Sequence, residues 1–91
     1  GTNAPKSGWA AYNQYLNLNA SKFKADPPLT GSVLLSFQVA SDGKLTNIKI
    51  IKGLSEAYDK EALRLVRNGS QWTPSPDGKA IEQRISVNFG P

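Results

Sequence analysis

The sequence contains no cysteine, no histidine and no methionine. Without cysteine, neither a disulfide nor a thiolate metal site can hold the chain together. Without histidine, the chain also lacks the commonest general base near neutral pH and the commonest metal ligand. We therefore expect no catalytic residue, no metal site and no cofactor, and we expect that the protein is not an enzyme.

Long apolar runs are absent as well, so the sequence contains no signal peptide, lipidation motif or membrane span. The length of 91 residues fits one domain over residues 1–91 and leaves no room for a second. The chain begins with Gly1 rather than methionine. We therefore expect any membrane anchor to lie upstream of this residue.

The charge is moderately basic, with 11 Lys and Arg against 7 Asp and Glu and a net charge of +4. These basic residues are spread along the chain, which is typical of a solvated basic surface. Recognition of nucleic acid by a sheet needs exposed aromatic side chains. Phe37 and Phe89 instead fall on the apolar faces of their strands, and no glycine-rich phosphate loop is present. We expect no nucleic-acid partner.

The first predicted element is a helix over residues 8–23. Its aromatic and apolar residues recur at roughly helical spacing, and Ser7 is placed to cap its start. These residues are Trp9, Tyr12, Leu16 and Phe23. Pro27 and Pro28 then break the helix, because proline has no amide donor and restricts the residue before it.

A β-hairpin is predicted over residues 32–52. Alternate residues of the first strand are apolar, namely Val33, Leu35, Phe37 and Val39. Asp42-Gly43 is a strong hairpin signal, because both residues can adopt positive φ at the centre of a two-residue turn. The return strand runs from Leu45 to Lys52 and is rich in isoleucine.

The second half of the chain predicts a helix and a third strand. Ser55 is placed to cap a helix that runs to about Asn68, and Asn68-Gly69 is typical of a left-handed stop. The apolar stripe of this helix is Tyr58, Ala62, Leu65 and Val66. Trp72 and Pro74 belong to an ordered loop. In the strand over residues 80–89, Ile81, Ile85, Val87 and Phe89 point inward, and Glu82, Arg84, Ser86 and Asn88 point outward.

These elements predict an α+β fold with the order α-β-β-α-β. We expect a three-stranded antiparallel sheet with strand order 2-1-3 and both helices packed on one face. The third strand is then a bare sheet edge, which natural proteins normally cover or blunt. Such an edge can also serve as a binding surface.

Short motifs follow one another in a fixed order between residues 31 and 89. The hairpin carries Gly31-x-Val33-x-x-x-Phe37-x-Val39 and Asp42-Gly43-x-Leu45-x-x-Ile48-x-Ile50. Further along come Tyr58-Asp59-x-x-Ala62-Leu63-x-x-Val66, Trp72-x-Pro74, Gly78-Lys79 and Ile85-x-Val87-x-Phe89. Each motif is weakly specific alone, but the ordered set resembles the TonB C-terminal domain family. Asp26-Pro27-Pro28 stands where that family often has Tyr-Pro, and the aromatic helix before it is not the usual flank.

The resemblance implies the periplasmic domain of an energy transducer that supports active uptake. Such a domain binds the TonB box of an outer-membrane TonB-dependent transporter as an added β-strand. For this sequence, the resemblance implies a docking edge that consists of Arg84, Ile85, Ser86, Val87, Asn88 and Phe89. The resemblance further implies inner-membrane motor proteins as partners of the region upstream, and an inner-membrane anchor in that region.

Two other functions share the same fold. Related domains resemble parts of membrane-anchored regulators or sensors outside the cytoplasm, which bind a protein without transmitting force. The bare edge can also pair with a second copy of the chain to form a homodimer.

Overall fold

Two helices and five strands make up the computed structural model, which describes residues 3–90. They are β1 (Ala4–Pro5), α1 (Trp9–Lys22), β2 (Gly31–Val39), β3 (Leu45–Lys52), α2 (Glu56–Arg67), β4 (Trp72–Thr73) and β5 (Glu82–Phe89). In the main antiparallel sheet, β2 lies between β3 and β5, while β1 pairs with β4 in a second sheet. The α+β class, with two helices and a three-stranded antiparallel sheet, is confirmed. The predicted element order α-β-β-α-β omits β1 and β4, because strands of two residues are too short to show an alternating pattern.

The turn between β2 and β3 is held at both ends by hydrogen bonds. The Gly43 amide donates to the Ala40 carbonyl over 2.9 Å, and the Ala40 amide donates to the Lys44 carbonyl over 2.8 Å. The Asp42 carboxylate accepts from the Lys44 amide over 3.0 Å. Only Gly43, with φ of 85°, has positive φ in this turn. The predicted hairpin is present, but its turn is longer than a two-residue Asp-Gly turn.

Gly43 allows a comparison with a second glycine of similar conformation. A Cβ at Gly43 would lie 2.6 Å from the Trp72 carbonyl oxygen, whereas a Cβ at Gly78, with φ of 74°, would meet nothing within 4 Å. We expect Gly78→Ala to lower the free energy of unfolding by about 1 kcal/mol, because alanine is strained at positive φ. Gly43→Ala should lower it by about 3 kcal/mol, because its Cβ also clashes with the backbone of Trp72. Urea denaturation followed by circular dichroism measures both losses. Equal losses would contradict the close approach of Trp72.

Helix α1 begins without the predicted cap. Gly8, with φ of 89°, is the N-cap residue, and no side chain accepts a hydrogen bond there. The prediction that Ser7 caps this helix is therefore wrong. The buried stripe is Tyr12, Leu16 and Ala20. The helix ends at Lys22, because Phe23 already has extended backbone angles.

Helix α2 follows the prediction at its start and departs from it at its end. The Ser55 hydroxyl accepts from the Tyr58 amide over 3.4 Å. The predicted left-handed stop is wrong, because Asn68 has φ of −94° and Gly69 does not have positive φ. A Cβ at Gly69 would instead meet Tyr15 Cε2 at 3.1 Å and Tyr12 Cε1 at 3.2 Å. Glycine at this position gives room for the two tyrosine rings of α1 and for the Leu65 carbonyl oxygen, and its φ is not positive.

One apolar cluster joins both helices to the inward face of the main sheet. It contains the stripe of α1, the predicted stripe of α2, the four inward residues of β2, Trp72, and Ile85, Val87 and Phe89 of β5. Burial raises the pKa of Tyr12 to about 12, with a further contribution from Tyr15. Trp72 opposes this rise in the pKa of Tyr12, although neither the Tyr12 hydroxyl nor Trp72 Nε1 has a hydrogen-bond partner among the described residues. Tyr12 therefore stays neutral at ordinary pH.

Candidate protein-interaction edge

The two outer strands of the main sheet differ in regularity. The pairing of β3 with β2 shifts register twice, between Leu34 and Leu35 and between Ser36 and Gln38. At the second shift Asn47 has φ of 52°, and its side chain donates to Gln38 Oε1 over 2.7 Å. Irregularities of this kind bend an edge strand and hinder pairing with another chain. The β3 edge is therefore poorly suited to strand addition.

The pairing of β5 with β2 has no such interruption. It runs in constant register from Gly31 opposite Phe89 to Gln38 opposite Glu82. Within residues 3–90, β2 is the only strand that pairs with β5. On its other side, β5 has no strand partner among the described residues along its eight residues.

The hydrogen-bond pattern of the hairpin fixes which groups of β5 point to this free side. Because the Ala40 amide bonds to the Lys44 carbonyl, the alternation of an antiparallel ladder directs the backbone of Gln38 towards Thr46 on β3. Glu82, which lies opposite Gln38 on β5, then directs its N–H and C=O away from β2. By the same alternation, the outward backbone groups belong to Glu82, Arg84, Ser86 and Asn88.

The side chains of these four residues, which we call the β5 edge residues, are all exposed. Glu82 and Arg84 form an exposed ion pair at 3.4 Å. The Asn88 side chain accepts from the Ser32 hydroxyl over 2.6 Å and from the Ser86 hydroxyl over 3.2 Å. An incoming strand therefore meets a polar, solvated surface whose own side chains are partly ordered.

The predicted docking residues thus fall into two groups. Arg84, Ser86 and Asn88 offer both outward backbone groups and exposed side chains. Ile85, Val87 and Phe89 bury their side chains in the core, at 6%, 0% and 4% exposure, and their backbone groups bond to β2. Glu82 belongs to the first group and was missing from the predicted edge. Its position in the alternating pattern was visible in the sequence, but the phase of the ladder was not.

The chemistry available at this edge is hydrogen bonding by backbone and side-chain groups. Across residues 3–90, no group of three or more acidic side chains is arranged to hold a metal ion. Each of the two helices falls short of the length and apolar character that crossing a bilayer requires, as far as the described residues go. A regular, unpaired strand edge can bind an extended chain through its backbone.

Comparison with known proteins gives one match. The model of the family described as Gram-negative bacterial TonB protein C-terminal matches residues 27–91. These residues include the whole main sheet and α2, while β1 and α1 precede them. No curated protein and no solved structure gives a match.

Proposed function

Since this chain belongs to the Gram-negative bacterial TonB C-terminal family, we propose that it is the periplasmic docking domain of an energy transducer. The family is a transport-related protein-interaction family rather than an enzyme family. The partner is an outer-membrane TonB-dependent transporter, and the bound segment is its TonB box. The upstream region carries the inner-membrane anchor and binds the motor proteins.

The regular edge of β5 is the observation that carries this proposal. A TonB box that lies along it forms a fourth strand, with hydrogen bonds to the outward groups of the β5 edge residues. The bulges of β3 leave β5 as the better of the two edges. Strand addition also suits force transmission, because several backbone bonds loaded together resist extension better than one.

Backbone hydrogen bonds alone give this edge only modest affinity. The four edge residues offer four N–H and four C=O groups, and each bond contributes about 0.5–1.5 kcal/mol net. Association costs an estimated 4–15 kcal/mol or more. Pairing with β5 therefore sets the direction and register of the bound strand, and side-chain contacts must supply the remaining affinity.

An amide-shift titration tests the proposal. The isotope-labelled chain is titrated with extended peptides from the N-termini of outer-membrane transporters. We expect the largest shifts at the β5 edge residues, because their amides gain hydrogen bonds. Shifts confined to β3 or α2 would contradict strand addition at β5, and so would the absence of shifts across a broad peptide panel.

A regulator or sensor domain is the second candidate function. The observation that favours it is the position of α1, which precedes the matched residues 27–91 yet packs against β5 and α2. In that case a different protein binds the same edge without transmitting force. Self-association through β5 is distinguished from both by a dependence of the sedimentation coefficient on protein concentration.

A further inference from the structure

A groove of about 420 Å³ lies at the end of the β5 edge. Its lining includes Phe23, Leu29, Tyr58 and Gly90, together with Pro28 and Thr30. Gly90 directly follows the last residue of β5, so the groove adjoins the edge. Leu29 is one of the few large apolar side chains that are exposed, at 36%. The groove thus offers apolar surface next to a polar edge.

Tyr58 holds the walls of the groove in place through two sets of contacts. The Tyr58 hydroxyl accepts from the Leu29 amide over 2.9 Å and from the Ala25 amide over 3.3 Å. The Tyr58 ring meets Phe23 and Phe89 edge-on, with centroids 5.1 Å and 4.9 Å apart. A groove fixed in this way is formed before a ligand arrives, which lowers the ordering cost of binding.

The groove opens on the helix side of the sheet, where α1 stops. Phe23 is the C-cap residue of α1, and Tyr58 belongs to α2. Gly90 leaves the strand with φ of 103°, packed against Thr30. A bound strand that pairs with Asn88 and continues beyond the end of β5 approaches Gly90, which lines the groove. Because side chains alternate between the faces of a sheet, one residue near this end points towards the helix side.

We propose that this groove is a side-chain subsite for one large apolar residue of the strand bound at β5. The inference rests on the proposed function and adds its side-chain specificity. The groove supplies apolar contact that the polar β5 edge residues do not. Lys24 lines the groove and Lys22 lies in the last turn of α1; neither forms an ion pair with any residue from 3 to 90. The positive charge selects a neutral or acidic peptide segment over a basic one.

The subsite is tested with the transporter peptides of the titration, in which each position is replaced in turn by alanine. We expect one apolar position near the Asn88 end to matter most, with a loss of about ten- to hundredfold in affinity on truncation. The amides of Leu29, Thr30 and Gly90 should shift with the parent peptide and not with that alanine variant.

Leu29→Ala is the matching change in the protein, and Leu18→Ala is its control. Leu18 is an exposed leucine of α1, at 53%, and does not line the groove. The Leu29 amide bond to Tyr58 survives in the alanine variant, so the loop is retained. We expect Leu29→Ala to weaken the parent peptide about tenfold and to leave the truncated peptide unaffected. Leu18→Ala should change neither affinity.

The outcomes separate this subsite from the docking function. Shifts at the β5 edge residues with a flat alanine scan would overturn the subsite and leave strand addition standing. Shifts in the groove without shifts at the edge would overturn both, because the occupant would not be a strand on β5. Silence with every peptide would overturn strand docking and the subsite with it.

Discussion

Replacing Ser86 with proline is expected to weaken peptide binding strongly while the domain remains folded. The Ser86 amide points to the free side of β5, so proline removes a donor that only the bound strand uses. The pyrrolidine ring also occupies the space of the incoming backbone. We expect affinity to fall by about tenfold or more, measured by titration calorimetry. Ser86→Ala keeps the amide and should bind like the unchanged chain.

Proline one residue further along the strand is expected to destabilise the domain instead. Val87 is fully buried and lies opposite Val33, to which its amide bonds in the alternation described above. Val87→Pro leaves the Val33 carbonyl unsatisfied and disturbs the core, at a cost on the order of 3 kcal/mol or more. Urea denaturation of both variants gives the comparison. A larger loss of stability for Ser86→Pro than for Val87→Pro would show that the ladder has the opposite phase.

Trp72→Ala is expected to cause the largest loss of stability that we predict for a single side-chain truncation. Trp72 is fully buried, and its ring contacts Phe37, Tyr12 and Trp9 edge-on at centroid distances of 5.0, 5.3 and 5.4 Å. Truncation of a buried tryptophan costs about 3–5 kcal/mol. The free energy of unfolding of a protein domain is only about 5–15 kcal/mol in total. Most of the stability of the domain should therefore be lost.

The control for this prediction is Trp9→Ala. Trp9 is 43% exposed and packs on the outer side of the same aromatic group. Its truncation should cost about 1–2 kcal/mol, because the half-exposed Trp9 side chain buries less apolar area than Trp72 does. Denaturation followed by far-ultraviolet circular dichroism measures both variants without relying on tryptophan fluorescence. A smaller loss for Trp72→Ala than for Trp9→Ala would contradict the central position of Trp72.

Long patterns in the sequence predicted most of the fold. The alternation over residues 32–40 and 80–89 corresponds to β2 and β5, and the stripe from Tyr58 to Val66 corresponds to the buried face of α2. Such patterns are informative because a half-buried element must repeat its apolar residues with its own period. The Ser55 cap was found for a similar reason, since it satisfies a local amide.

Features that depend on a distant partner were missed. The strands β1 and β4 pair residues 4–5 with residues 72–73, and no local pattern marks two-residue strands. Gly69 suggested a left-handed stop, but its neighbours are Tyr12 and Tyr15 of α1. Phe23 was predicted to lie within the first helix, but it is the C-cap residue of α1 and lines the groove. In each case the decisive contact lies far away along the chain.

By itself, the sequence determined the class of the fold, the family, the identity of the strand proposed for docking and its inward and outward side chains. These depend on the order and periodicity of residues, which can be read locally. Only the tertiary structure decided which backbone amides of β5 are free. Their direction depends on which residues of β2 bond to β3 and which bond to β5. The tertiary structure also decided that the edge ends at an apolar groove, because the walls of that groove come from α1, α2 and the proline loop, which meet only on folding.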